Sequence, residues 1–323
     1  MSDPTHFVAS PSSTAARSPA ARGGRTWYRL LKGPNGLRAG WRLLIYAALV
    51  LSLGYGAEKV TEVILPGEPA DLGSPWATTV VFGIMLFTML LVAAMMAKME
   101  GRSFGDYGLP LRRVLCFQFW QGYGVGFLSL AALLAFMRLV GVFSFGPRLL
   151  HGAEAWKYGF GWTVSVMLAC VLEEYFYRGY LQYTLTGGIG FWPAAVVTSA
   201  FMAYMHRYNP VWTWLGLFNV FLFGMVACLL LRRTGDLWLP AGIHAAWDWG
   251  EVYFFGVPSS GQTARGTLFR GSFHGPGWLT GAPFGPEAGW PNVALLLIWL
   301  LLFAQWFRKV RYPRSAADPH DAG

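Results

Sequence analysis

The sequence predicts an all-α, polytopic membrane helix bundle of about eight transmembrane helices. Three observations carry this. The 323 residues are 54% hydrophobic and only 13% charged, with a mean hydropathy of +0.40, whereas a soluble domain carries about 25% charged residues. Eight apolar runs approach the length of about 20 residues that a spanning helix needs. The basic residues behind the net charge of +9 sit at the ends of those runs. That distribution reads as membrane orientation rather than nucleic-acid contact.

Residues 1–37 are rich in Ser, Ala, Arg and Gly and lack an apolar core segment. They read as a disordered basic tail without a cleavable signal peptide. The bundle is expected over 38–307, with spans at 41–57, 77–97, 117–140, 160–182, 191–206, 211–231, 238–256 and 291–307. The fifth is short, and the fourth and seventh carry charges. Most of the 25 Lys and Arg fall in 1–45, 98–113, 178–190, 232–233 and 308–314. This alternation places both termini in the cytoplasm. Residues 257–290, rich in Gly and Pro and bearing Trp278 and Trp290, form an extracytoplasmic loop, either a cap or a connector with its aromatics at the interface. Residues 308–323 form a short basic tail. Gly122, Gly124 and Gly126 in the third span predict close helix packing. Cys116, Cys170 and Cys228 are far apart with no CxxC pair, and read as buried free thiols. No solenoid or inverted repeat is visible.

Ionisable groups are rare in a membrane core and usually functional, costing about 2.5 to 3.5 kcal/mol each near a helix centre on insertion scales. Three clusters break the apolar pattern. In LEEYFYRGYLQ, Glu174 and Arg178 are spaced i,i+4 with the acid first, the favourable order for an ion pair. Glu173 is rotated by about 100° and needs another partner. His206 ends the fifth run, before Arg207, Tyr208, Asn209 and Pro210. In LPAGIHAAWDWGE, His244 and Asp248 share a helix face. Glu251, seven residues past His244, lies close to that face; it nears the helix end, so it either joins the pair or meets water.

A carboxylate and an imidazole together deprotonate a water, and a second His with a carboxyl or amide stabilises an oxyanion. That set suits amide hydrolysis. No serine or cysteine stands in a nucleophile motif, and HExxH is absent. Two Glu and two His also suit a divalent metal.

The three clusters, in this order, resemble the CPBP family of CAAX proteases and bacteriocin-processing (Abi) enzymes, whose pattern runs EExxxR, FxxxH and HxxxN or HxxxD. EEYFYR supplies Glu173, Glu174 and Arg178, HRYNP supplies His206, and HAAWD supplies His244 and Asp248. RRTGDLWLPAGIH and EGRSFGDYGL are also similar to family members, so the resemblance covers about residues 95 to 256. Met202 stands where the second motif has Phe, and Asp248 where the third more often has Asn. The resemblance implies a helical intramembrane endopeptidase acting on a membrane-associated peptide or protein. Glu173 and His206 would activate water, Glu174 and Arg178 would position them, and His244 with a protonated Asp248 would form the oxyanion side. The family is described both as metalloproteases and as glutamate proteases; a metal-independent glutamate mechanism fits these residues, so no obligatory metal is expected. A zinc-like ion, if present, would sit on Glu173, His206 and His244.

The Ala- and Arg-rich flanks resemble bacterial members, so the expected location is a bacterial inner membrane. Two rivals share these residues: a transporter or proton relay, which would show pH-driven flux, and a non-catalytic immunity or scaffold protein, which would tolerate Glu173→Gln. Counting along the spans also sets Glu173, His206 and His244 at different depths. A shared site then needs tilted or broken helices.

Overall fold

The long apolar runs become helices because a backbone in lipid must satisfy its own hydrogen bonds. The computed structural model describes residues 31–33, 36–66 and 73–312. The expected tails at 1–37 and 308–323 lie mostly outside these residues. Two-residue strands β1 (Lys32–Gly33) and β2 (Gly36–Leu37) precede α1 (Ala39–Ile64) and α2 (Pro75–Glu100). Then come α3 (Phe117–Leu139), β3 (Phe143–Arg148), α4 (Gly152–Arg178), α5 (Tyr180–Ile189) and α6 (Phe191–His206). The chain continues through α7 (Trp214–Thr234), α8 (Trp238–Trp249), a π-helical turn (Gly250–Phe255), β4 (Phe269–Phe273), a short α9 (Gly277–Thr280) and α10 (Trp290–Trp306).

Every expected span coincides with helix. Among the described residues, five helices are long and apolar enough to cross a membrane: α1, α2, α3, α4 continued by α5, and α7. The protein is a multi-pass membrane protein. Helices α6, α8 and α10 are shorter, and this shortness lets helix ends meet inside the bundle. Local chemistry sets the boundaries. Pro75 starts α2, where its missing N–H costs nothing, and Gly101 ends it with a φ of 62°. Thr213 caps α7 by accepting from the Gly216 N–H at 2.9 Å.

Helix α8 is enclosed on nearly every side, with Trp238 through Ile243 and Ala245 through Trp247 buried. Glycines explain how. A Cβ at Gly122 would run into the Leu239 carbonyl, one at Gly126 into the Ile243 carbonyl, and one at Gly242 into the Phe119 carbonyl. Backbones of α3 and α8 thus lie against each other, as small residues permit in lipid. Gly124, the other glycine of that run, faces open space. The packing motif is the 122/126 pair alone.

The 257–290 segment is not a featureless loop. Strand β4 pairs antiparallel with β3, matching Phe143 to Phe273 and Phe145 to Gly271. Phe143, Phe145, Phe255, Phe269 and Phe273 pack in tilted and edge-to-face contacts around this junction. Aromatic contacts hold it onto the bundle, and its glycines allow close approach, as at Gly261, where a Cβ would strike the Val211 carbonyl. Trp278 and Trp290 remain exposed.

Gly126→Ala should therefore lower thermal stability in detergent by about 1–3 kcal/mol through overpacking. Gly124→Ala should leave it within about 0.5 kcal/mol. Equal effects of the two would contradict the helix contact described.

Candidate active site

The last turns of α4 carry Glu173, Glu174 and Arg178, with Cys170 one turn earlier. The C-terminus of α6 carries His206, and the enclosed α8 carries His244 and Asp248. Gly179 breaks the helix just after Arg178. A Cβ there would strike the Tyr175 carbonyl, so only glycine lets the chain turn into α5.

The expected pair forms. Arg178 Nη1 donates to Glu174 Oε1 at 3.2 Å, with both side chains at most 1% exposed. The same oxygen accepts from His244 Nδ1 at 3.0 Å. A carboxylate already paired with a guanidinium is an acceptor, so Nδ1 carries the hydrogen and Nε2 points the other way. Nε2 lies 3.7 Å from Asp248 Oδ2. Arg178 Nη2 also donates to the Met202 thioether at 2.9 Å, and its guanidinium lies 5.7 Å from the Tyr177 ring centre. Gly224 on α7 leaves the space that Arg178 and Ser199 fill. Met202, where a Phe was expected, thus ties the second cluster to the first. Its carbonyl also holds His206 Nδ1 at 2.8 Å, which leaves His206 Nε2 for the cavity.

Glu173, His206, His244 and Asp248 line one cavity of about 530 Å³. The depth mismatch resolves because α6 is short and α8 begins inside the bundle. Glu173 is half-buried, and its Oε2 has no protein partner. Val50, Met85, Met89 and Leu172 line both this cavity and an apolar groove between α1 and α2.

Residues 155–250 match the family model described as Type II CAAX prenyl endopeptidase Rce1-like. Over these residues the chain is similar to CAAX-type proteases of the CPBP family. The match spans α4 to the end of α8 and includes all six cluster residues. No curated protein and no solved structure matches the chain. The similarity to these proteases implies a peptide or protein substrate in a membrane.

Three features of the protease escaped the sequence reading. Cys170 Sγ donates to Asp248 Oδ2 at 3.5 Å, so a buried thiol read as plain packing touches a residue that lines the cavity. Glu251 does not meet water: it is 1% exposed and accepts from Trp247 Nε1 at 2.7 Å. Glu287, from the 257–290 segment, accepts from the Ser260 N–H at 2.5 Å. Glu251 and Glu287 line a smaller cavity of about 60 Å³ that also reaches His206, His244 and Asp248. Among the described residues, one group of three potential metal ligands lies within 4.8 Å of one another: Cys170, His244 and Asp248, of which only His244 belongs to the set expected from the sequence. Glu173 stands outside it, and His206 is turned by the Met202 carbonyl. Asn209, beside His206, donates to the Ser260 carbonyl at 2.7 Å and anchors the 257–290 segment over the site.

Two outcomes follow from these contacts. Arg178→Leu leaves Glu174 buried without its counter-charge and should cost about 3–5 kcal/mol in stability, read by thermal unfolding in detergent. Burial pushes the Glu287 carboxyl from 4.5 up to about 7. The folded state then holds a proton that the unfolded chain releases, so stability is greatest below the unfolded value and falls as pH rises through the folded one. Melting temperature between about pH 5 and 7 should drop with rising pH, and Glu287→Gln should flatten that slope.

Proposed function

We propose that the protein hydrolyses a peptide bond of a membrane-associated peptide or protein with a water activated by Glu173 and His206. The observation that carries this reading is the shared cavity: two groups able to take a proton, Glu173 with a free oxygen and His206 with a free Nε2, face it together with His244 and Asp248. Glu173 takes the proton of the attacking water as general base. His206 Nε2 orients that water, held by the bond of its other nitrogen to the Met202 carbonyl. The carbonyl oxygen of the scissile bond turns toward α8, where His244 and a protonated Asp248 donate to the developing oxyanion. Glu174 holds His244 in one orientation, and Arg178 holds Glu174. Protonation of the leaving amine returns the proton from Glu173.

The unpartnered oxygens of Glu251, Glu287 and Asn292 line the small cavity behind His244 and Asp248. They form a polar pocket large enough for one or two waters, beside the reacting centre. The groove between α1 and α2 offers a route from the bilayer to Glu173. A resident metal is not required, because the Glu–His pair supplies the base and the α8 pair the electrophile. A bacterial inner-membrane location with both termini in the cytoplasm fits the distribution of Lys and Arg.

The test compares membranes from cells expressing wild type or Glu173→Gln by mapping peptide termini. New termini that depend on Glu173 are expected, with cleavage reduced at least about 100-fold in the variant, the scale of a lost general base. Equal termini in both strains would sink the proposal.

A further inference from the structure

We propose that Cys170, His244 and Asp248 form a zinc site whose occupation switches the protease off. Cys170 Sγ and Asp248 Oδ2 are 3.5 Å apart, Asp248 Oδ2 and His244 Nε2 are 3.7 Å apart, and the three ligand atoms all lie within 4.8 Å of one another. Zinc bonds of about 2.0–2.3 Å at tetrahedral angles set neighbouring ligands about 3.3–3.7 Å apart. The set therefore needs little movement to close on one ion. A thiolate, an imidazole and a carboxylate are the donor types zinc takes.

A second observation points to the same ligand. His244 donates its Nδ1 hydrogen to Glu174, itself held by Arg178. Metal-binding histidines are oriented this way, with a carboxylate behind the ring and the other nitrogen presented forward. Charge agrees too. Zinc displaces one proton from the Cys170 thiol and one from the Asp248 carboxyl, and the divalent ion with two anionic ligands is neutral. A neutral site suits a weakly solvated bundle interior. The fourth position opens toward the large cavity, which His244 and Asp248 line.

The consequence for activity rests on the reading above, in which His244 and Asp248 hold the oxyanion. Zinc would take His244 Nε2 and the Asp248 carboxyl from that task. Binding itself does not depend on that reading, so the two can fail separately.

The experiment uses purified full-length protein in detergent, freed of metal by chelation. Cobalt(II) is titrated first, followed by zinc as competitor. One cobalt per chain with a thiolate charge-transfer band is expected, displaced by zinc. Cys170→Ser should abolish the band and weaken zinc binding at least about tenfold, with Cys170→Ala used if the serine variant misfolds. Cys228→Ser, altering another buried thiol, should retain the band. On a peptide cleaved in a Glu173-dependent way, zinc should lower the wild-type rate, and the half-inhibiting concentration should rise at least about tenfold in Cys170→Ser relative to that variant's own zinc-free rate. Absence of the band, or a band unchanged in both Cys170 variants, overturns the site. A band that needs Cys170 but accompanies an unchanged or faster rate overturns the inhibition. If no cleavage is found, the proteolytic reading falls while the cobalt titration still decides the site.

Discussion

One buried oxygen organises the active region. Glu174 Oε1 accepts from Arg178 one turn along its own helix and from His244 on another. In a bundle interior an unpaired carboxylate or guanidinium costs several kcal/mol, so each charge requires the other in place. Arg178 is then held from a third helix by the Met202 sulfur. Two charges that the bilayer will not solvate fix the relative positions of α4, α6 and α8. Glu173 is thereby left one position away with a free oxygen.

The site also needs α8 to enter the bundle centre. Lipid tails are as apolar as the helices, so burial alone does not drive helices together, and close van der Waals contact must. Gly122, Gly126 and Gly242 provide it by bringing backbone against backbone. The enclosed helix then carries His244 and Asp248 to the depth of Glu173. On one side, the folded 257–290 segment closes the arrangement through Asn209, Ser260 and Glu287. The π-helical turn after α8 directs Glu251 inward beneath it. Such turns are often found at functional sites.

Cys170 ties α4 to α8. Its thiol touches Asp248, and Asp248 faces His244. In the proposed mechanism the pair on α8 donates hydrogen bonds while the Asp248 carboxyl holds its proton, and in the proposed zinc site the same atoms would be ligands.

The sequence by itself determined the membrane class, the eight helical segments and the local pairs Glu174–Arg178 and His244–Asp248. Hydropathy over a window and the 3.6-residue period encode these without knowledge of neighbours. Three clusters of charge in an apolar chain also marked where chemistry would gather. Only the tertiary structure decided that Glu174 reaches His244 across 70 residues, that Met202 meets Arg178 across 24, and that Cys170 meets Asp248 across 78. It also packed a Gly/Pro-rich loop onto the bundle through strand pairing, phenylalanine contacts and close glycine approaches, and drew Glu251 inward against it. No period links such positions, because their meeting depends on how whole helices cross and where they stop. Glu251 looked exposed for that reason: a helix end meets water only if nothing covers it, and what covers this one comes from residues further along the chain.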